Sequence, residues 1–141
     1  MYSGRCLCGG VEFQIDGELD SIQVCYCKQC QRAQGTALAT NIPIERKKFR
    51  LMKGHALIRS FESSPGKQRC FCERCGSPIY SRRDALPEVL RIRAGLFDGE
   101  LPLRLLAHYH IASKPTWWAI GNDDVPRFMD GHKAMDDCST T

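Results

Sequence analysis

Cysteines are the residues of this chain whose number and spacing point most directly to chemistry. The 141 residues include nine cysteines, of which eight form three clusters. The clusters are Cys6 and Cys8; Cys25, Cys27 and Cys30; and Cys70, Cys72 and Cys75; the ninth cysteine is Cys138. Residues two apart in a strand project from the same face, so each C-x-C pair directs two sulfurs toward one point. The C-x-x-C spacing, which occurs twice, is typical of zinc knuckles.

Metal binding is a better account of these cysteines than disulfide formation. An odd number of cysteines prevents complete pairing within the chain. The N-terminal segment lacks the apolar stretch of a signal peptide, so we expect a cytoplasmic location, where thiols stay reduced. The sequence therefore predicts zinc as the metal. Cys138, in a polar C-terminal segment, is expected to take no part.

The spacing allows one closed, structural zinc site. Such a site needs four thiolates in tetrahedral positions. Cys6 and Cys8 offer two of them, and a C-x-x-C knuckle offers two more. If that knuckle is the one formed by Cys72 and Cys75, a long loop closes around one metal and the N-terminal strand is pinned to the middle of the fold.

The remaining cluster then supplies three thiolates from Cys25, Cys27 and Cys30. Three protein ligands with an open fourth position are typical of a reactive zinc rather than a structural one. Cys70 leaves an alternative open, because it could complete a second closed site with four thiolates. Two closed sites would indicate a non-catalytic, zinc-stabilised binding module.

Composition narrows the class of protein further. The length is that of one domain, and the apolar fraction of 43% supports a globular core. The net charge of +4 is too small for the basic surface of a nucleic-acid binder, so no nucleic-acid partner is expected. No window approaches 18 consecutive apolar residues, so no membrane span is expected either.

The local patterns predict a mainly β fold. Residues 11–15 alternate between apolar and polar types and are followed by the turn pair Asp16-Gly17. Residues 36–42 are predicted to form a strand that ends at Pro43, and residues 103–111 another strand. Residues 49–52 and 56–61 are predicted to form a hairpin around Lys53-Gly54. The only helical prediction is a single turn over residues 29–34.

The three cysteine motifs, in this order, resemble those of the glutathione-dependent formaldehyde-activating family. The similarity extends to about residue 120, with Tyr26 at a position where the family commonly has histidine. The residues that carry it are 4–11 with Phe13, 25–32 with Gly35, 71–77 with Tyr80, 93–95 with Asp98, and His108, Ser113, Lys114 and Trp117.

This resemblance implies a fold, a ligand set and a reaction. The fold is a zinc-stapled, β-tent-like single domain of small antiparallel sheets, over residues 1–125, followed by a tail over residues 126–141. One structural and one catalytic Zn²⁺ are implied. The implied ligands are Cys6, Cys8, Cys72 and Cys75 for the first metal and Cys25, Cys27 and Cys30 for the second. The implied reaction is that of a carbon–sulfur lyase, which joins glutathione and formaldehyde as S-(hydroxymethyl)glutathione or cleaves that adduct.

Other side chains are predicted to serve the same site. A small-molecule thiol and a small aldehyde are the expected partners, with the thiol sulfur at the open position of the second zinc. Arg32, beside Cys30, is the first candidate for binding the carboxylates of glutathione, with Arg69 and Lys67 behind it. His108 and His110 would share a face of a strand and are predicted to be structural. The Trp117-Trp118 pair is predicted to anchor the core or a contact in a possible homo-oligomer.

Overall fold

The computed structural model describes residues 1–131, which form ten strands and one α-helix. The elements are β1 (Tyr2–Arg5), β2 (Glu12–Ile15), β3 (Ile22–Cys25), α1 (Lys28–Gln34), β4 (Ala39–Glu45), β5 (Phe49–Lys53), β6 (Ile58–Ser64), β7 (Lys67–Cys72), β8 (Pro78–Arg83), β9 (Leu86–Arg93) and β10 (Leu105–Tyr109). Short 3₁₀ turns lie at Arg46–Lys48, His55–Leu57, Ala94–Leu96 and Ile111–Ser113. The predicted mainly β, single-domain fold is confirmed.

Two sheets make up the domain. The smaller has the strand order β1-β2-β5, and the larger has the order β10-β3-β4-β9-β8-β7-β6. All pairs are antiparallel except β10 with β3, which is parallel. Residues 94–104 connect β9 to β10 and cross over β4 and β3 to the far edge of the large sheet. Such a crossover lets β10 run in the same direction as β3. The predicted antiparallel sheets are therefore seen with one parallel pair added at this edge.

Both faces of the large sheet carry buried residues, which are apolar on one face and polar on the other. On the apolar face, Ile42 and Ile44 of β4 and Leu90 and Ile92 of β9 pack against the small sheet through residues such as Phe13. The alternate residues of the same strands point the other way. Together with residues of β7 and β8 on the same face, they form a group of buried polar residues: Asn41, Lys67, Arg69, Ser81, Arg91 and Arg93. The second face is therefore polar and strongly cationic although it is buried.

The hairpin predicted around Lys53-Gly54 is wrong. Strand β5 pairs with β2 in the small sheet, whereas β6 pairs with β7 in the large one. Gly54, at φ +88°, turns the chain between the two sheets, and a Cβ there would lie 2.2 Å from the carbonyl oxygen of Gly10. Only glycine combines this left-handed conformation with so close an approach of two backbones.

Two predicted strand ends also need correction. Strand β4 does not end at Pro43 but continues to Glu45. Pairing with β3 stops at Asn41, so no strand faces Pro43 on that side and its missing N–H is tolerated. Strand β10 ends at Tyr109, and His110 follows with φ +58°, so His108 and His110 do not continue one strand face.

The helix and the C-terminal part of the described chain complete the domain. The single turn predicted over residues 29–34 is a seven-residue helix, α1. Residues 126–131, in the predicted tail, run beside β10, where Phe128 stacks on Tyr109. The predicted boundary at residue 125 stays a prediction, and Cys138 lies outside the described residues.

Within residues 1–131, no helix has the length and apolarity that a membrane crossing requires.

Candidate metal centres and their surroundings

Four cysteines form a cluster between the two sheets. Cys6 and Cys8 lie in the loop between β1 and β2, and Cys72 and Cys75 lie at the end of β7 and in the turn after it. The four Sγ atoms are all within 4.8 Å of one another. The Sγ atom of Cys8 is 3.6 Å from that of Cys6 and 3.8 Å from that of Cys72. Sulfurs bound at about 2.3 Å to one tetrahedral zinc lie roughly 3.8 Å apart, so this cluster fits such an ion.

The surrounding backbone favours charged sulfurs in this cluster. The N–H of Val11 donates to Cys6 Sγ at 3.3 Å, and that of Gly10 donates to Cys8 Sγ at 3.3 Å. The backbone amide of Leu7 donates to Ser77 Oγ across the gap between the two loops. The cluster therefore ties the loop of the small sheet to the end of a strand in the large sheet.

The thiols of this cluster differ in acidity. Burial raises the pKa of Cys72 to about 11. The hydroxyl of Ser77, 3.2 Å from the sulfur, lowers the pKa of Cys75 to about 5. Neighbouring sulfurs resist simultaneous ionisation, and a divalent cation would stabilise all of them as thiolates. The donor set therefore suits a soft divalent metal.

Three further cysteines form a second cluster on the polar face of the large sheet. Cys25 is the last residue of β3, Cys27 is the N-cap of α1, and Cys30 is in the first turn of that helix. Their Sγ atoms lie within 4.8 Å of one another, and all three residues are buried. The amide of Cys30 donates to the Sγ of Cys27 at 3.4 Å, so the same sulfur caps the helix and belongs to the cluster. This second cluster could also hold a metal ion.

The structure does not bring Cys70 into either cluster. Neighbouring residues of a strand point to opposite faces, and Arg69 occupies the face that carries the three-cysteine cluster. Cys70 is directly opposite Tyr80 in β8, on the other face. No grouping of candidate metal ligands within residues 1–131 includes it. The eight cysteines in this part of the chain also form no disulfide with one another.

The guanidinium of Arg69 lies beside the three-cysteine cluster. Its Nη2 lies 4.0 Å from Cys30 Sγ and 3.4 Å from Gln29 Oε1, and its Nε donates to Ser63 Oγ. The residue is 8% exposed, and within residues 1–131 its Nη1 is buried without an acceptor. Of the other predicted anion-binding residues, Lys67 is buried on the same face, whereas Arg32 is exposed on α1.

Tyr26 begins a hydrogen-bonded chain on the opposite side of β3. Its hydroxyl lies 2.9 Å from His108 Nδ1, and His108 Nε2 lies 2.8 Å from a carboxylate oxygen of Asp123. Burial raises the pKa of Tyr26, whereas the hydrogen bond from His108 lowers the pKa of Asp123. One arrangement uses both contacts: the Tyr26 hydroxyl donates to Nδ1, and the Nε2–H of His108 donates to the Asp123 carboxylate. His108 is buried and held by hydrogen bonds on both sides of its ring, which are the surroundings of a structural histidine.

Several features of the site were missed by sequence reasoning. The buried residues Arg91 and Arg93 lie in a strand with an alternating pattern. The pattern predicts that they share a face of the strand, but it does not predict that this face is buried. The partner of His108, Asp123, lies in an irregular segment that carries no pattern. The prediction that Trp117 and Trp118 anchor the core is wrong, because the two residues are 68% and 38% exposed. Trp118 instead lines a cleft beside Tyr26 and His108.

Comparison with known proteins agrees with this arrangement. A sequence model of the family described as glutathione-dependent formaldehyde-activating enzyme matches residues 1–113. A protein of Halomonas elongata named "Putative glutathione-dependent formaldehyde-activating enzyme" is 28% identical, in an alignment that covers 94% of this chain and 88% of that protein. The crystal structure of a Rhodobacter sphaeroides protein shares the fold with a TM-score of 0.59 at 22% identity, over 73% of this chain and 98% of that one. The chain belongs to the glutathione-dependent formaldehyde-activating enzyme family.

Proposed function

We propose that the protein is a zinc-dependent carbon–sulfur lyase that forms or cleaves the adduct of a thiol with formaldehyde or another small aldehyde. Glutathione is the thiol that the family name suggests. The observation that carries the proposal is the cluster of three buried sulfurs from Cys25, Cys27 and Cys30, all within 4.8 Å of one another on the cationic face. A cytoplasmic location, where thiols are kept reduced, fits this chemistry.

Each cysteine cluster has its own role in this proposal. Cys6, Cys8, Cys72 and Cys75 hold a structural zinc between the sheets, since four thiolates satisfy a tetrahedral ion completely. Cys25, Cys27 and Cys30 hold the second zinc. Three thiolates with an ion of charge +2 leave a net charge of −1, which the buried guanidinium of Arg69 offsets. Arg32 becomes the weaker candidate because it is exposed.

The reaction itself is an addition. The thiol loses its proton, its sulfur bonds to the carbonyl carbon as the π electron pair moves to the carbonyl oxygen, and that oxygen takes up one proton, so no atom is lost overall. Cleavage of the adduct reverses each change. A zinc ion held by three thiolates supplies a position at which the substrate sulfur stays a thiolate, below the free thiol pKa of about 8.5. The residues of the chain bury this position and hold it next to a guanidinium.

The test measures zinc content and turnover together. We expect two zinc ions per chain and an acceleration of S-(hydroxymethyl)glutathione cleavage above the uncatalysed rate, which needs its own control because the adduct also forms and decays unaided. Cys70 and Cys138 are the two thiols expected to bind no metal, and Cys70, which is buried, should react with an alkylating reagent only slowly under native conditions. Cys70→Ala is the matched control variant and should keep both zinc ions.

Two results would contradict the proposal. Two zinc ions per chain without any acceleration would favour a non-catalytic binding module. Loss of one zinc ion in Cys70→Ala or in Cys138→Ser would indicate that this cysteine closes a second site with four thiolates. A homo-oligomer remains part of the prediction and is tested by the mass of the particle in solution.

A further inference from the structure

A cavity of about 330 Å³ lies between the two sheets, on the apolar face of the large sheet. Strand β5 of the small sheet contributes to one wall, and strands β6, β8 and β9 of the large sheet contribute to the other. None of the clustered cysteines lines it. The volume is at the lower end of the roughly 300–1,000 Å³ of small-molecule pockets. The cavity therefore has room for a small ligand at a place that the proposed reaction does not use.

The side chains on the walls of this cavity are apolar or aromatic. Phe49 and Leu51 come from β5, Ile58 from β6 and Leu90 from β9. Tyr80 of β8 lies edge to face with Phe49, and the two ring centroids are 5.6 Å apart. All of these residues except Leu90 are only half-buried, so part of their apolar surface stays in contact with solvent. An apolar group placed in the cavity would remove that surface from water, which is favourable.

One cation at the mouth of this cavity has no acidic partner in the described part of the chain. The 3₁₀ turn Arg46–Lys48 carries three cations in a row. Lys47 and Lys48 pair with Glu45 at 2.9 and 3.3 Å. Arg46, which lines the cavity, forms no ion pair within residues 1–131. Its guanidinium is therefore available to an anion that enters from solvent.

Two further observations relate this charge to the interior of the cavity. Burial raises the pKa of Tyr80 to about 12, and the positive charge of Arg46 opposes the increase, so the guanidinium lies near the phenol. His55 lines the same cavity, and none of the lining residues is acidic. Apolar walls beside a guanidinium are complementary to a molecule with an apolar body and one anionic group. A carboxylate matches the planar guanidinium best, because its two oxygens accept paired hydrogen bonds.

We propose that this cavity binds a small amphipathic carboxylate, with its apolar body between the sheets and its carboxylate on Arg46. The body of the ligand contacts Phe49 and Leu51 on one side and Ile58 and Leu90 on the other. The site does not depend on the proposed lyase function, because it uses no cysteine and lies on the other face of the large sheet from the three-cysteine cluster. Aromatic and aliphatic acids share this chemistry, and the experiment distinguishes the two.

The experiment is a titration of the zinc-loaded, full-length protein followed by backbone amide NMR shifts, which report both affinity and location. The probes are phenylbutyrate, hexanoate and the neutral alcohol phenylbutanol. We expect phenylbutyrate or hexanoate to bind at least about 10-fold more tightly than the alcohol, as charge-assisted hydrogen bonds predict. The tighter of the two acids shows whether the body is aromatic or aliphatic. The shifts should be concentrated at residues 46–58 and at Tyr80.

Arg46→Gln tests the charge without disturbing the core, since Arg46 is exposed. This variant should bind the acids no more tightly than the alcohol. Lys47→Gln is the matched control, because it removes the same charge from the same turn, yet Lys47 pairs with Glu45 and does not line the cavity. Both affinities should be unchanged in the control.

Three results would overturn the inference. The first is equal affinity of the wild-type protein for the acids and the alcohol. The second is an unchanged affinity for the acids in Arg46→Gln, or an equal loss in Arg46→Gln and Lys47→Gln. The third is a shift pattern centred on Arg69 and Cys30, which would place the acid on the cationic face of the large sheet instead.

Discussion

The two cysteine clusters have similar ligands and different surroundings. The four-cysteine cluster joins loops of two sheets, and its nearest neighbours include the apolar side chains of Val11 and Ile79. The three-cysteine cluster lies at the end of β3 beside a buried cationic face. The number of thiolates alone would separate a closed site from a reactive one. The surroundings add that a buried guanidinium, that of Arg69, lies beside the second cluster.

Removing a ligand of the four-cysteine cluster should have the largest effect. Cys72→Ser is expected to abolish the folded state at room temperature, because the binding energy of a structural zinc, about 10–16 kcal/mol, is also folding energy. Thermal denaturation followed by circular dichroism is the measurement. A strong chelator should unfold the wild-type protein in the same way. A folded Cys72→Ser variant with a normal melting temperature would show that the two clusters do not differ as described.

Removing a ligand of the three-cysteine cluster should affect activity much more than folding. Cys27→Ser keeps a side-chain oxygen at the N-cap of α1, and serine is a favoured N-cap residue, so the helix should persist. We expect lyase activity to fall by roughly 100-fold or more and the zinc content to drop from two ions to one. If Cys27→Ser and Cys72→Ser unfold alike, the distinction between a catalytic and a structural cluster is lost.

The chain from Tyr26 to Asp123 should have an intermediate effect. Tyr26 stands between two cysteines of the cluster, so its hydrogen bond to His108 holds the backbone that positions both sulfurs. Tyr26→Phe leaves Nδ1 of a buried histidine without its donor and should cost about 1–3 kcal/mol of stability. Chemical denaturation measures the cost, and the absorption spectrum of the cobalt-substituted protein reports on the metal site. Tyr2→Phe is the control, and equal behaviour of the two variants would make the chain irrelevant to the cluster.

Cys70→Ala should have the smallest effect of the four. The residue is buried on the opposite face of β7 from Arg69, so its sulfur is expected to serve neither metal. We expect a loss of about 1 kcal/mol from lost packing and an unchanged zinc content, measured by elemental analysis. A variant that binds only one zinc ion would place Cys70 among the ligands after all.

The cysteines could be assigned from the sequence because short spacing along a strand or a turn fixes local geometry. The C-x-C and C-x-x-C motifs predicted which neighbouring sulfurs converge, whereas the joining of Cys6 and Cys8 with Cys72 and Cys75 was implied by the family resemblance. Both groupings are seen. Hairpin prediction failed at Gly54 because two strands joined by a tight turn need not belong to the same sheet. The cationic face was not predicted either, since alternation in β9 indicates two faces but does not say that both are covered.

The four-cysteine cluster also has a consequence for the order in which the chain assembles. Cys8 and Cys72 are 64 residues apart, whereas β6, β7, β8 and β9 pair with their immediate neighbours along the chain. Short loops close faster than long ones, so the meander from β6 to β9 should form before the N-terminal strands dock. We expect refolding at limiting zinc to populate a state with an ordered meander and a detached small sheet. Metal availability would then set the rate of the last folding step as well as the final stability.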